Sequence, residues 1–249
     1  MNAARSMRAL SPQPNLVEQA HDAILDAICD GRLKPGARLT QEHVALLLQV
    51  SRQPVGQALA LLKARGLVCD HGRRGLMVAP LDGDFVHALY DLRGAIERLA
   101  ARRAAERTGP ALAAKARRIL ADGRAAAAAG SLSGLIAADM AFHAMIYQAS
   151  GNPVVVDSMR LHWHHIRRAM SAIVTLEDYS PARIWAEHEA IAAAIIAGDG
   201  DGAEALVAAH VADSSSALQA ALTRLSAPEI SARLVAPISD LSESEGVES

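Results

Sequence analysis

Asp139 and His143 stand four residues apart in this chain. On an α-helix that interval puts both side chains on one face, roughly 5–6 Å apart at Cβ, close enough to grip one divalent ion. Alone, an Asp-x-x-x-His pair is weak evidence and reads better as an ordinary surface pair. His188 and His210 fall on two later stretches, which in a bundle can turn toward the same face. One carboxylate and three imidazoles form a nitrogen and oxygen set suited to Zn²⁺, with Ni²⁺ or Mn²⁺ as alternatives. A second cluster, His162-Trp163-His164-His165, competes with it. On a helix His162 and His165 share a face while His164 points elsewhere, so the three do not hold one ion comfortably. Lining a nearby pocket is the role left for one of them.

The front of the chain carries a different chemistry. Ser51-Arg52-Gln53 and Gln57 lie at the start of a helical pattern, where side chains can enter a DNA major groove. Arg52 can pair bidentately with guanine or clamp a phosphate, and Gln53 and Gln57 can reach base edges. Arg73 and Arg74, in the turn HGRRG, suit the minor groove or its phosphates. Charge is distributed to match. Residues 1–80 carry ten Lys/Arg against six Asp/Glu, and residues 227–249 carry one against five.

Elements must position these groups. Leu16, Ala20, Ile24, Ala27 and Ile28 recur at helical spacing, and Gly31 stops that helix. After the Pro35-Gly36 turn, Thr40 caps a short helix with Val44, Leu47 and Leu48 facing inward. Ser51 caps the next, which buries Val55, Leu59 and Leu62 and ends at Gly66. Residues 67–69 and 76–79 read as two short strands. Three helices and a β-hairpin describe a winged helix-turn-helix over 14–80, preceded by a flexible arm over 1–13. From 82 to 226 the pattern is helical, with Phe85, Leu89, Leu92, Ile96, Leu99 and Arg103 marking one long helix. Six or so helices form an all-α bundle. Residues 227–249, Ser-rich and acidic, read as a disordered tail. The fold class expected is mainly α.

Composition agrees with packed helices. Of 249 residues 51% are apolar but only 3% aromatic, so the core is built from Ala, Leu, Ile and Val. No run of 18 apolar residues offers a membrane span. The charged N-terminus lacks an apolar signal region, and two cysteines make no framework, so a cytoplasmic protein is expected.

The stretch GRLKPGARLTQEHVALLLQVSRQPVGQALALLKARGLV, residues 31–68, resembles the winged helix of the GntR family of bacterial transcription regulators. Residues 82–225 resemble the all-helical FCD domain of that family's FadR-type branch. The matching pieces are Leu92-Arg93-Gly94-Ala95-Ile96-Glu97, Asp139-Met140-Ala141-Phe142-His143, Ser150-Gly151-Asn152-Pro153 and Glu187-His188-Glu189-Ala190-Ile191. The resemblance implies a homodimeric regulator, more often a repressor, that binds operator DNA and is not an enzyme. It places Arg38 as a backbone-binding arginine, and Asp139, His143, His188 and His210 as metal ligands. Arg93, Tyr90 and Asn152 become candidate contacts for a small organic or sugar acid, although Arg93 can equally form an ion pair with Glu97. Gly56 departs from the pattern, since the family places a DNA-contacting arginine there. Two rival readings are a regulator for which the ion itself is the signal, and a metal-dependent hydrolase using Glu187 or Glu189 as base.

Overall fold

The computed structural model describes residues 15–72, 75–174 and 180–225. The arm, Arg73, Arg74 and the acidic tail lie outside them. Chain order begins with α1 (Leu16–Cys29), β1 (Arg38–Leu39), α2 (Gln41–Leu48), α3 (Arg52–Ala64), β2 (Val68–Asp70) and β3 (Leu76–Val78). The Asn15 side chain caps α1 by accepting from the Glu18 N–H, and Gly31, at φ +73°, turns the chain beyond it. Ile24, Ile28, Val55, Leu59, Leu62, Leu67 and Val78 close a core of their own.

Beyond Asp82, whose side chain caps it, α4 (Gly83–Arg107) runs 25 residues. A short 3₁₀ turn follows, then α5 (Ala113–Ala128), α6 (Leu132–Ala149), α7 (Pro153–Val174), α8 (Pro181–Ala197) and α9 (Gly200–Leu225). Helix α4 lies along α9, and α5 along α6 and α8. Phe142, Met145, Ile146, Met159, Ile166, Ile191 and Leu218 belong to the second core. Such close helix packing requires small residues. A Cβ on Gly123 of α5 would sit 2.2 Å from the buried Trp185 ring of α8. Among the described residues, no helix is long and apolar enough to cross a membrane. The fold is mainly α, with one small antiparallel sheet.

Three local expectations are corrected. The wing has three strands in the order β1-β3-β2, because Arg38 and Leu39 pair with Met77 and Leu76. Ser51 holds the N-cap position of α3 but makes no side-chain capping bond. In α2 the buried stripe is Val44 and Ala45 with half-buried Leu48, and Leu47 on its flank is exposed. The one long helix expected from Phe85 to Arg103 is α4, on which Phe85, Leu92 and Leu99 stay 41–46% exposed. The bundle side instead buries Leu89, Tyr90, Arg93, Glu97, Ala100 and Ala104. Alanines there let α9 approach, and a charged pair takes the place of aliphatic side chains.

Candidate metal centre and nucleic-acid interface

Three helices bring four side chains together inside the bundle. Asp139 and His143 come from α6, His188 from α8 and His210 from α9; all four are buried. One ligating atom from each lies within 4.8 Å of the others. Asp139 Oδ1 is 3.4 Å from His188 Nε2 and 3.8 Å from His143 Nε2.

Tautomers follow from the neighbours. Arg93 Nη2 donates to His143 Nε2 at 2.8 Å, and since a guanidinium only donates, that nitrogen carries a lone pair. His143 Nδ1 therefore holds the proton and faces Glu97 Oε2 at 3.1 Å. Behind His210, Glu187 Oε2 accepts from Nδ1 at 2.7 Å, leaving His210 Nε2 unprotonated in the neutral ring. A carboxylate behind an imidazole is the usual support of a metal-ligating histidine, because it fixes the tautomer and raises basicity.

His188 has no such support. Both of its ring nitrogens are buried without a hydrogen-bond partner. Its ring stacks on Phe142 at 4.2 Å and meets Trp185 edge-on at 4.9 Å. Burial, reinforced by His143 and His210, holds His188 well below the ordinary histidine range, so it is neutral at neutral pH. An unpaired, neutral imidazole beside a carboxylate and two oriented imidazoles fits a divalent ion.

The cluster is anchored to α4 by a buried ion pair. Arg93 Nε donates to Glu97 Oε1 at 2.7 Å, and the Tyr147 hydroxyl donates to the same oxygen. Burial alone would raise the Glu97 carboxyl, but Arg93 and then His143 outweigh it and hold it well below the usual carboxylate range. Tyr90, also buried, lies beneath the Arg93 guanidinium, 5.3 Å from ring centre to Cζ. Asn152 is occupied elsewhere. Its Oδ1 accepts from the Val154 N–H at the start of α7.

Sequence reasoning missed Tyr147, Phe142 and the supporting role of Glu187. Tyr147 follows His143 by four residues, an interval that could have found it. The hydrolase reading loses its bases. Glu187 is bound to His210, and Glu189 is on the surface with Arg124. The second histidine cluster turns toward the winged helix. His165 Nε2 donates to the Arg65 carbonyl at 3.0 Å, and the His164 carbonyl accepts from Cys29 Sγ at 3.5 Å.

At the other end, Ser51, Arg52, Gln53 and Gln57 are exposed along the start of α3, and Arg38 is exposed on β1. Arg52 Nη2 donates to Glu42 Oε1 at 2.6 Å, an exposed pair that is easily exchanged for a nucleic-acid contact. Gly56 sits beneath the Gln41 side chain, whose atoms would lie 3.2 Å from an added Cβ.

A three-helix winged unit joined to a helical bundle with a buried Asp/His cluster is the build of a DNA-binding regulator with a second, helical domain. Residues 16–78 match the bacterial regulatory proteins of the gntR family, and residues 88–213 match the FCD domain. The transcriptional regulator LutR of Bacillus subtilis (strain 168) is 31% identical over 204 residues, spanning 74% of this chain and 92% of that protein. The transcriptional repressor RspR of Escherichia coli (strain K12) is 24% identical over 216 residues, spanning 84% and 92%. A putative GntR regulator from Rhodococcus sp. RHA1 shares the fold at TM-score 0.71 with 22% identity, over 83% of this chain and 99% of that one. The chain belongs to the GntR family and carries an FCD domain. It is a DNA-binding transcription regulator, not an enzyme. FCD domains bind metal ions, and the buried Asp/His cluster lies inside the matched region.

Proposed function

We propose that this regulator is a cytoplasmic repressor whose grip on operator DNA is controlled by a small carboxylate metabolite at a divalent metal centre. The observation that carries the reading is His188, buried with both ring nitrogens unpartnered beside Asp139, His143 and His210. Those four would hold the ion, Zn²⁺ before Ni²⁺ or Mn²⁺, given three nitrogens and one oxygen. When bound, the ion supplies positive charge and open coordination positions to an anionic effector.

The chain's own residues define the rest. Arg93 and an ion compete for the same lone pair on His143 Nε2. Displaced from it, Arg93 keeps Glu97 through Nε and has Nη2 free for an effector carboxylate, with Tyr90 beneath it. Asn152 is not carried into this site, because its side chain caps α7. Readout of DNA falls to Ser51, Arg52, Gln53 and Gln57, with Arg38, Arg73 and Arg74 on the backbone or minor groove. A homodimer would present two winged helices to two half-sites, and the exposed Leu92 and Leu99, seven residues apart on α4, support a helix-to-helix interface. The repressing mode follows the name of RspR. Domain limits of 14–80 and 82–226 are consistent with two separate cores.

The test is operator-binding anisotropy while organic and sugar acids are added. An acid should release wild-type protein from DNA, while His188→Ala still binds DNA but ignores the acid. Equal release from both refutes control through this site.

A further inference from the structure

The seam between winged helix and bundle holds an open cavity of about 630 Å³, lined by none of the four metal-cluster residues. Leu67, Pro80, Phe85, Val86 and Leu161 give it apolar walls, within the size range of small-molecule sites. Arg65, His162, His164, His165 and Arg168 supply its polar lining.

Arg168 is the anomaly. It is only 5% exposed, and although Nη2 donates to the Ala79 carbonyl, Nε is buried without a partner. Among the described residues no carboxylate pairs with it. Its neighbour Arg167 shows the contrast, clamped by Asp26 at 2.6 Å and Asp30 at 2.5 Å. Asp82, the carboxylate on the cavity wall, accepts from the Asp84 and Phe85 N–H groups as the cap of α4. Burial pushes Arg168 down to about 10, so it stays charged at neutral pH. A buried guanidinium without a counter-ion is costly, and an anion in the cavity would relieve that cost. Phe85 and His165 meet edge-to-face at 5.0 Å on the same wall, which favours a ring in the ligand's apolar body.

We propose that this cavity binds an aromatic carboxylate, with the carboxylate on Arg168 and the ring against Phe85 and the apolar wall. Such a ligand touches Gly66, Leu67 and Cys69 of the winged helix together with Leu161 and Arg168 of α7. It therefore selects one placement of the DNA-reading unit on the bundle, an input separate from the metal-centred one.

The test is a titration of the full-length protein with 1-naphthylacetate, read by the probe's fluorescence, with neutral 1-naphthylacetamide as control. The acid should saturate one site per chain, and the amide should bind at least about tenfold more weakly. Arg168→Met should weaken the acid at least about tenfold, while His188→Ala, altered at the metal cluster, should bind it as wild type does. Leu161→Glu provides a second variant if Arg168→Met does not fold. Leu161 is 76% exposed and lines the cavity, and a carboxylate there should weaken the acid about fivefold by repulsion. No saturable binding, no loss in either cavity variant, or a loss confined to His188→Ala overturns the proposal.

Discussion

Replacing Glu97 with glutamine should destabilise the helical domain severely, although the side chain keeps its shape. Glu97 is 1% exposed and is the counter-ion of Arg93, itself 2% exposed. It accepts from Arg93 Nε at 2.7 Å and from the Tyr147 hydroxyl, and it faces His143 Nδ1 at 3.1 Å. Glutamine cannot neutralise the guanidinium, and its amide nitrogen would confront a donor. Breaking one partner of a buried ion pair costs about 3–5 kcal/mol. For a chain of this size that corresponds to a fall in Tm of about 6–20 °C. The double variant Arg93→Met/Glu97→Leu should recover most of the loss, because it removes both charges and fills the space. The assay is thermal and urea unfolding followed by circular dichroism on metal-free protein. A pH series adds an independent check. Since the folded Glu97 carboxyl titrates well below its unfolded value, its contribution is complete above about pH 4.5 and fades as the medium is acidified further. Glu97→Gln should lack that component. A Tm within a degree or two of wild type for Glu97→Gln would refute the view that this pair anchors the cluster.

Other consequences follow from the same geometry. Arg52→Ala should weaken specific operator binding by about 1–3 kcal/mol in anisotropy titrations, while Arg38→Ala should weaken specific and random DNA alike. Unchanged affinity in both variants would contradict the recognition surface. Gly56→Arg should raise general DNA affinity once Gln41, 3.2 Å from the new Cβ, swings aside; no change would mean that position 56 does not face DNA. His188 is held below the ordinary histidine range, so below pH 6.5 the unfolded chain takes up a proton that the folded metal-free protein refuses. Stability should therefore fall on acidification by up to about 1.4 kcal/mol per pH unit, and His188→Gln should flatten that slope. An unaltered slope would refute the assignment.

How much of this was legible in the sequence depends on what each signal measures. Asp139 and His143 announce themselves because a four-residue interval maps directly onto one helix face. His188 and His210 converge with them only through the packing of α8 and α9, which no local pattern encodes; the family resemblance supplied that step. Which side of α4 faces inward was not legible for a related reason. Periodicity finds a stripe, but α4 has two, and the inward one is built around Arg93, Glu97 and alanines that hydrophobicity does not flag. β1 was missed because two residues carry no period, and only the pairing of Arg38 with Met77 defines it. The second histidine cluster was legible as a set of faces, but not as a contact with the winged helix, since the hydrogen bond from His165 to Arg65 spans 100 residues.

Metal content tests the central claim most directly. Wild-type protein and the Asp139→Ala, His143→Ala, His188→Ala and His210→Ala variants would be purified without added metal or chelator and measured by plasma mass spectrometry. His162→Ala and His164→Ala serve as controls. Wild type and both controls should carry about one divalent ion per chain, and each of the four cluster variants should carry far less. Full metal content in all four cluster variants would contradict the account.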